Sequence, residues 1–370
     1  MKRFIKPNWK KSNLNISATL AEFLGVQNNK TTLKFLKKEL KKNYKNIVFI
    51  CLDGMGINPI NINLEKSDFL RKNIKMKLTS TFPSTTTNAT TSLTSNKYPL
   101  EHGWFGWSLY FEKIGKNVDI YMHRDSQTGE KVDFKYPIID NGDCYFDNAK
   151  SDYEINAVLP NYVQTKSIEK KVVINNIEEM CKEIDKICKK DGKQFVYTYL
   201  PEPDYTMHEF GVSSSEAKEV VGKINYEIEK LYNDLSDTLV VITADHGQVD
   251  IQGSVEFYKD KEINEMLTCV PFLDARSPAF KVKEGKNREF ERLFKQRYGK
   301  DFKLYKSKDL IKRGLFGKSG DFGELLGDYI AIGTYTHKDF VTSEHFNRFK
   351  GHHTSLTEEM LVPLIILKKK

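Results

Sequence analysis

Val240-Val241-Ile242-Thr243-Ala244-Asp245-His246-Gly247 is an apolar, largely β-branched run that stops abruptly at a carboxylate, an imidazole and a glycine. Its first five residues show no polar alternation, the mark of a parallel strand covered on both faces. Asp245 and His246 then emerge at the carboxyl end of that strand, where open α/β sheets gather their ligands. A buried carboxylate without a partner is costly, and a metal ion would satisfy both side chains. The bland alternative, a helix-capping Asp beside an exposed His, is as good a reading of this stretch taken alone.

The same pattern recurs upstream. Asn46-Ile47-Val48-Phe49-Ile50-Cys51-Leu52 is a second continuous apolar run, followed at once by Asp53-Gly54-Met55-Gly56. A glycine there lets the backbone turn sharply and approach a ligand. Gln194-Phe195-Val196-Tyr197-Thr198-Tyr199-Leu200 is a third, ending in Pro201-Glu202-Pro203-Asp204-Tyr205-Thr206-Met207-His208. Asp204 and His208 converge if the chain turns helically after Pro203. Behind them Ser213 and Glu216 form a candidate capping box. The helix that follows turns Ala217, Val220, Val221, Ile224, Ile228, Leu231 and Leu235 inward and leads to the opening strand, a parallel β-α-β unit.

Between the first and third runs, a polar strand over 75–81 leads into Phe82-Pro83-Ser84-Thr85-Thr86-Thr87-Asn88-Ala89, with nine Ser or Thr between Ser84 and Ser95. Hydroxyls and free N–H groups at a helix start suit a phosphoryl group, though a Thr-rich N-cap loop has the same composition. Residues 98–133 are rich in aromatics and suit short strands or a hairpin over the sheet's carboxyl edge.

Composition narrows the classes. The 370 residues are 39% hydrophobic and 29% charged, a globular composition. The net charge of +8 is spread over scattered lysines, which disfavours a specific nucleic-acid site. Five cysteines, odd in number and without a CxxC pair, give no disulfide framework. No segment reaches the length of a membrane span or carries a leader-like apolar core, so a cytoplasmic protein is expected, with a small phosphorylated compound as its partner. The oligomeric state is not legible.

These patterns predict an α/β fold: a mostly parallel central sheet flanked by helices on both faces, with a smaller cap. The expected divisions are an N-terminal helical extension (1–45, with helices over 17–24 and 32–42), a catalytic core (46–264), a cap or insertion (265–345) and a return to the core (346–370). The cap shows weaker core patterning apart from an amphipathic helix over 287–298.

Collecting the strand-end groups gives Asp53, Asp204, His208, Asp245, His246 and one of His352 or His353 in Gly351-His352-His353. Three carboxylates and three imidazoles suffice for two metal sites of mixed N/O ligands, a set zinc accepts. Two ions roughly 4 Å apart clamp the attacking and leaving oxygens of an in-line phosphoryl displacement. A threonine hydroxyl, weakly nucleophilic at neutral pH, is activated by metal coordination.

Asp53-Gly54, Phe82-Pro83-Ser84-Thr85-Thr86-Thr87, Glu101-His102-Gly103, Pro203-Asp204-x-x-x-His208, Ala244-Asp245-His246-Gly247 and Gly351-x-His353 resemble, in order and rough spacing, the motifs of the alkaline phosphatase superfamily. The similarity is greatest to its type I phosphodiesterase/nucleotide pyrophosphatase branch and covers roughly residues 46–367. The resemblance implies an alkaline phosphatase-like fold. It implies one zinc on Asp204, His208 and His353 and another on Asp53, Asp245 and His246, with manganese as the alternative ion. Thr86 is then the nucleophile facing both metals, with Thr85 and Thr87 its rivals in register, and His353 is favoured over His352.

Two departures limit what carries over. Where the nucleotide pyrophosphatases place a phosphoryl-holding asparagine, this chain has Trp107 within Trp104-Phe105-Gly106-Trp107, so Trp104 and Trp107 are candidate substrate-binding residues. The Asp-Ser-Ala motif of the monoesterases and the Cys/Ser-x-Pro-x-Arg motif of the sulfatases are both missing. The expected activity is therefore a two-metal phosphodiesterase or pyrophosphatase working through a phosphothreonine. The alternatives are a phosphomonoesterase, phosphonate hydrolase or phosphotransferase on the same fold, or a non-catalytic binding protein.

Overall fold

The computed structural model describes residues 3–136, 138, 144–163, 170–345 and 348–370. Seven strands form the central sheet: β1 (Asn46–Leu52), β2 (Ile74–Thr79), β3 (Tyr153–Leu159), β4 (Lys171–Val173), β5 (Lys193–Leu200), β6 (Thr238–Thr243) and β7 (Leu361–Lys369). Their order across the sheet is β2-β7-β6-β1-β5-β3-β4. Six run in one direction, and β7 lies antiparallel between β6 and β2. Every residue of β1 and β6 is buried, as continuous apolar runs covered on both faces require. The link from β5 to β6 steps over β1, so the two runs that end in Asp53 and Asp245 are direct neighbours.

Five helices frame the site: α1 (Asn13–Phe23), α2 (Thr86–Ser95), α3 (Ile177–Cys188), α4 (Asp204–Phe210) and α5 (Ser215–Asp234). In α3, Ile177, Met180, Cys181, Ile184, Ile187 and Cys188 form the buried stripe. The cap of α5 lies one residue beyond the expected box: the Ser214 hydroxyl accepts from the Ala217 N–H, while the Ser213 hydroxyl donates to Asp250.

Two expectations about the flanking regions change. The N-terminal helices are built into the core rather than attached to it. Residues 13–21 of α1 are all buried, and the helix packs against α2. The region after β6 is also better cored than its pattern suggests. A three-stranded antiparallel sheet (Ala279–Phe280, Tyr329–Gly333, Phe302–Lys306) packs with the helix Asn287–Tyr298 around Phe257, Phe280, Phe290, Phe294, Phe302 and Phe340. Drawn from one helix and several short elements, these phenylalanines share no single period.

The predicted hairpin is present as Ser108–Phe111 with Lys116–Asp119, joined to the cap by pairing between Ser108 and Leu273. No disulfide joins any of the five cysteines, and no described helix is long and apolar enough to cross a membrane.

Candidate active site

Two groups of ligand-type side chains meet at the carboxyl ends of the strands. Asp53, Asp245 and His246 follow β1 and β6, and Asp204, His208 and His353 come from α4 and the segment before β7. In each group the ligand atoms lie within 4.8 Å of one another. Nε2 of His246 is 3.3 Å from Asp53 and 3.4 Å from Asp245. Nε2 of His208 is 3.2 Å from Asp204, and that of His353 is 4.0 Å from Asp204. The rings of His246 and His353 stand 3.9 Å apart, so the groups share a wall. His246 is fully buried, which removes the alternative of an exposed His beside a capping Asp.

The orientation of the imidazoles is set by backbone. Nδ1 of His208 faces the Gly351 carbonyl at 2.8 Å, Nδ1 of His246 that of Gly247 at 3.0 Å, and Nδ1 of His353 that of Ser84 at 3.1 Å. A ring that donates through Nδ1 keeps its proton there and turns the Nε2 lone pair into the site, the arrangement of a metal ligand.

The carboxylates are held in the same way. Asp245 Oδ1 accepts the backbone N–H groups of His246 and Gly54 at 2.8 and 3.2 Å, while its Oδ2 is buried without a hydrogen-bond partner. The Tyr199 hydroxyl donates to Asp53, and the Gln248 amide donates to Asp204. Gly54 has a φ of +68°, and a Cβ there would meet Asp204 Oδ1 at 2.9 Å, so glycine is required on both counts.

Three buried carboxylates dominate the electrostatics of the site. Burial, reinforced by Asp245 and Asp204, pushes the Asp53 carboxyl well above its ordinary value. Burial raises Asp245 too, with His246 opposing and Asp204 reinforcing. Burial would also raise Asp204, but His208, His246 and Gln248 outweigh it and bring that carboxyl to about 2. His353 is held well below 6.5 by burial and by His246, His208 and His352, and so keeps a free lone pair. Crowded carboxylates, an orphaned Oδ2 and three imidazoles aimed at one space fit divalent cations.

Thr86 begins α2, the N–H end of a ten-residue helix, with Thr85 as its N-cap residue. Its Oγ1 lies 3.2 Å from His246 Nε2 and 3.4 Å from both oxygens of Asp53. The rival hydroxyls make no hydrogen bond to Asp53 or His246. Thr85 donates to Asp274 at 3.2 Å, and Thr87 Oγ1 is buried without a hydrogen-bond partner. His352 is likewise separated from its neighbour. Its ring lies between Asp339 at 2.9 Å and Asp274 at 3.4 Å, outside both ligand groups. Burial opposes its charge, but Asp339 and Asp274 prevail and lift it to about 10.

Thr354, immediately after His353, has a φ of +84°, strained for a β-branched residue. It is fixed by its N–H to the Ser84 carbonyl at 3.1 Å and by the Arg276 N–H to its hydroxyl at 3.2 Å.

Above these groups lies a cavity of about 1180 Å³, lined by Thr86, Asp53, Asp204, His208 and His353 at its floor. Trp107 lines the wall. Trp104 does not: it is buried in an apolar cluster with Phe105, Leu109 and Phe272, so only one of the two candidate indoles faces the cavity.

Residues 47–354 match the family model of the type I phosphodiesterases / nucleotide pyrophosphatases. The chain belongs to that family. Among solved structures it is similar to murine ectonucleotide pyrophosphatase/phosphodiesterase 5, an inactive variant in complex with AMP. That match has 17% identity and a TM-score of 0.64, covering 86% of this chain and 87% of that one. The human counterpart gives 14% identity, the same coverages and a TM-score of 0.64. Phosphonoacetate hydrolase from Sinorhizobium meliloti, in complex with phosphonoformate, gives 15% identity, 87% and 90% coverage and a TM-score of 0.61. These likenesses establish the alkaline phosphatase-like fold. No curated protein matches the chain.

Side chains beyond the motifs also shape the site. Tyr199 and Gln248 position carboxylates, and the Asp245 carbonyl receives the Ser80 hydroxyl and, at 3.1 Å, the Asn13 amide from α1. Gln248 sits two residues after His246 and Tyr199 near the end of a recognised strand, so proximity was a usable signal for both. Asn13 offered none.

Proposed function

We propose that this family member is a two-metal phosphodiesterase or pyrophosphatase-type hydrolase in which Thr86 is the nucleophile and a phosphothreonine the intermediate. One observation carries the reading: a single hydroxyl, at a helix N-terminus, lies within 3.2–3.4 Å of the buried Asp53 and His246, beside a second ligand group. Asp53, Asp245 and His246 would hold one divalent cation, and Asp204, His208 and His353 the other, with zinc suited to the donor set and manganese as the alternative. Bound there, such ions supply Lewis acidity for an ionised threonine and for phosphoryl oxygens.

The chain's own groups do the positioning. Thr86 Oγ1, having released its proton to solvent, attacks phosphorus. The bond to one alcohol oxygen breaks in line, and that alcohol takes up a proton. The free N–H groups at the start of α2 stabilise the phosphoryl oxygens. Water then cleaves the phosphothreonine, restoring the hydroxyl and releasing a monoester.

The test is Thr86→Ala with metal analysis. Activity on bis-p-nitrophenyl phosphate falls about 10,000-fold or more, as when a nucleophile is removed, while two metal ions per chain remain. Near-normal turnover in that variant overturns the role of Thr86. Turnover that survives exhaustive chelation overturns the metals.

A further inference from the structure

Three titratable groups, Asp274 and Asp339 from the cap and His352, stand outside both ligand groups and take no part in the proposed reaction. Asp339 and His352 are buried, and the Asp274 side chain is only 10% exposed. They form one chain. Asp339 faces Nδ1 of His352 at 2.9 Å, and Nε2 of His352 faces Asp274 Oδ1 at 3.4 Å. That oxygen also accepts the Ala275 N–H at 2.8 Å, and Asp274 Oδ2 accepts the Thr85 hydroxyl at 3.2 Å.

Backbone pairing anchors each member. Asp339 lies in the strand Lys338–Val341, paired with Gly253–Glu256. The Phe340 N–H donates to the Ala275 carbonyl at 2.9 Å, which joins the two segments that carry the carboxylates. His352 is paired with Val249, three residues beyond His246.

The chain ends at the residue before the nucleophile. A threonine at a helix N-cap ordinarily accepts a hydrogen bond from the first turn. Thr85 holds that position in α2, yet its side chain makes no such bond. Drawn to Asp274 instead, it leaves the first N–H groups of the helix open to an anion. Ser84, one residue earlier, is held differently. Its carbonyl accepts the Thr354 N–H at 3.1 Å and faces Nδ1 of the ligand-group residue His353. The Thr85 tie, by contrast, touches no member of either ligand group.

We propose that Asp274 is a positioning residue: held by His352 and Asp339, it draws the Thr85 hydroxyl and so fixes the turn from which Thr86 Oγ1 projects. This rests on the reading of Thr86 as nucleophile and gives the cap a part in it.

A double-mutant cycle tests the tie. On bis-p-nitrophenyl phosphate with metals supplied, Thr85→Val and Asp274→Ala each lower kcat about 100-fold, as a displacement of about 1 Å at a reacting group does. KM changes less than about threefold, and two metal ions per chain remain. The double variant is no slower than the slower single one, because both changes cut the same tie. Thr85→Ser, which keeps the hydroxyl, retains kcat to within about threefold. In metal-free protein the Ala89 amide, which donates to the Thr85 carbonyl at 2.9 Å, exchanges its hydrogen about tenfold faster in Thr85→Val and Asp274→Ala. Thr85→Val removes no charge and decides the matter alone if Asp274→Ala does not fold.

A kcat loss under about tenfold in Thr85→Val, losses that multiply in the double variant, loss of metal, or unchanged Ala89 exchange each overturns the positioning role. Turnover by the unaltered chain that Thr86→Ala abolishes leaves the phosphodiesterase reading standing beside such a result. Faster Ala89 exchange in a chain that turns over no diester supports the tie and overturns that reading instead.

Discussion

The floor and the wall of the active-site cavity are built on different principles. The floor is supplied by the sheet: Asp53 and Asp245 follow adjacent parallel strands, and α4 and the segment before β7 bring Asp204, His208 and His353. Each histidine there is oriented by a backbone carbonyl and each carboxylate by a donor. The wall comes from a short hairpin and loops, and it carries exposed aromatics with the carboxylates of Asp119 and Asp274. Chemistry that must be held rigidly sits on the common scaffold, whereas selectivity sits where the chain can vary without disturbing the sheet.

The sharpest break between the two is expected at adjacent histidines. His353→Asn removes a ligand from the floor, so metal content falls from two ions toward one and kcat/KM on bis-p-nitrophenyl phosphate drops about 1,000-fold. His352→Asn leaves the metal content at two, because that ring answers Asp274 and Asp339 rather than the ligand groups. Equal metal loss in the two variants would erase the assignment.

Next in size is the clamp beneath the floor. Arg276 is fully buried, reaches from the cap side into the segment after His353, and pairs with the equally buried Glu359 at 3.0 Å. Glu359 in turn accepts the Ser355 N–H through its side chain and the Gly247 N–H through its carbonyl. Arg276→Ala leaves Glu359 uncompensated and costs about 3–5 kcal/mol of unfolding free energy by urea titration. A loss under about 1 kcal/mol would mean that the pair is solvated and holds nothing.

A smaller effect reaches the floor from the N-terminal region. Asn13→Ala deletes the bond to the Asp245 carbonyl and weakens metal binding about tenfold, as loss of an outer partner does. Unchanged metal affinity would return the N-terminal helices to the status of an appendage.

Legibility in the sequence follows the same division. Continuous apolar runs ending in Asp53 and Asp245 announce buried parallel strands, so the sheet could be read, and the six side chains that gather as candidate ligands could be named, with a two-fold ambiguity at His352 and His353. Arg276 with Glu359 and Asn13 with Asp245 are pairings across 83 and 232 residues, which no local pattern encodes. Trp104 and Trp107 stand in one short loop, and their opposite fates depend on side-chain direction, which spacing outside regular structure does not determine. The cap's phenylalanine core was hidden for a related reason, since its members come from several short elements with no shared period.

The smallest predicted effect is a pH dependence confined to the wall. Burial raises the Asp119 carboxyl to about 6. The Trp107 hydrogen bond and Arg124 pull it down, and Asp274 and Asp125 push it up. Protonation removes a negative charge from the wall, so a cation held there is bound most strongly above that value and less strongly as pH drops through about 6. Tetramethylammonium titrations in metal-free protein read this without interference from metal occupancy, and affinity at pH 5 should be a few-fold weaker than at pH 7.5. Asp119→Asn should flatten the profile, because the carboxyl that takes up the proton is then gone. A profile that persists in the variant would move the titrating group to the floor and deny the wall its separate role.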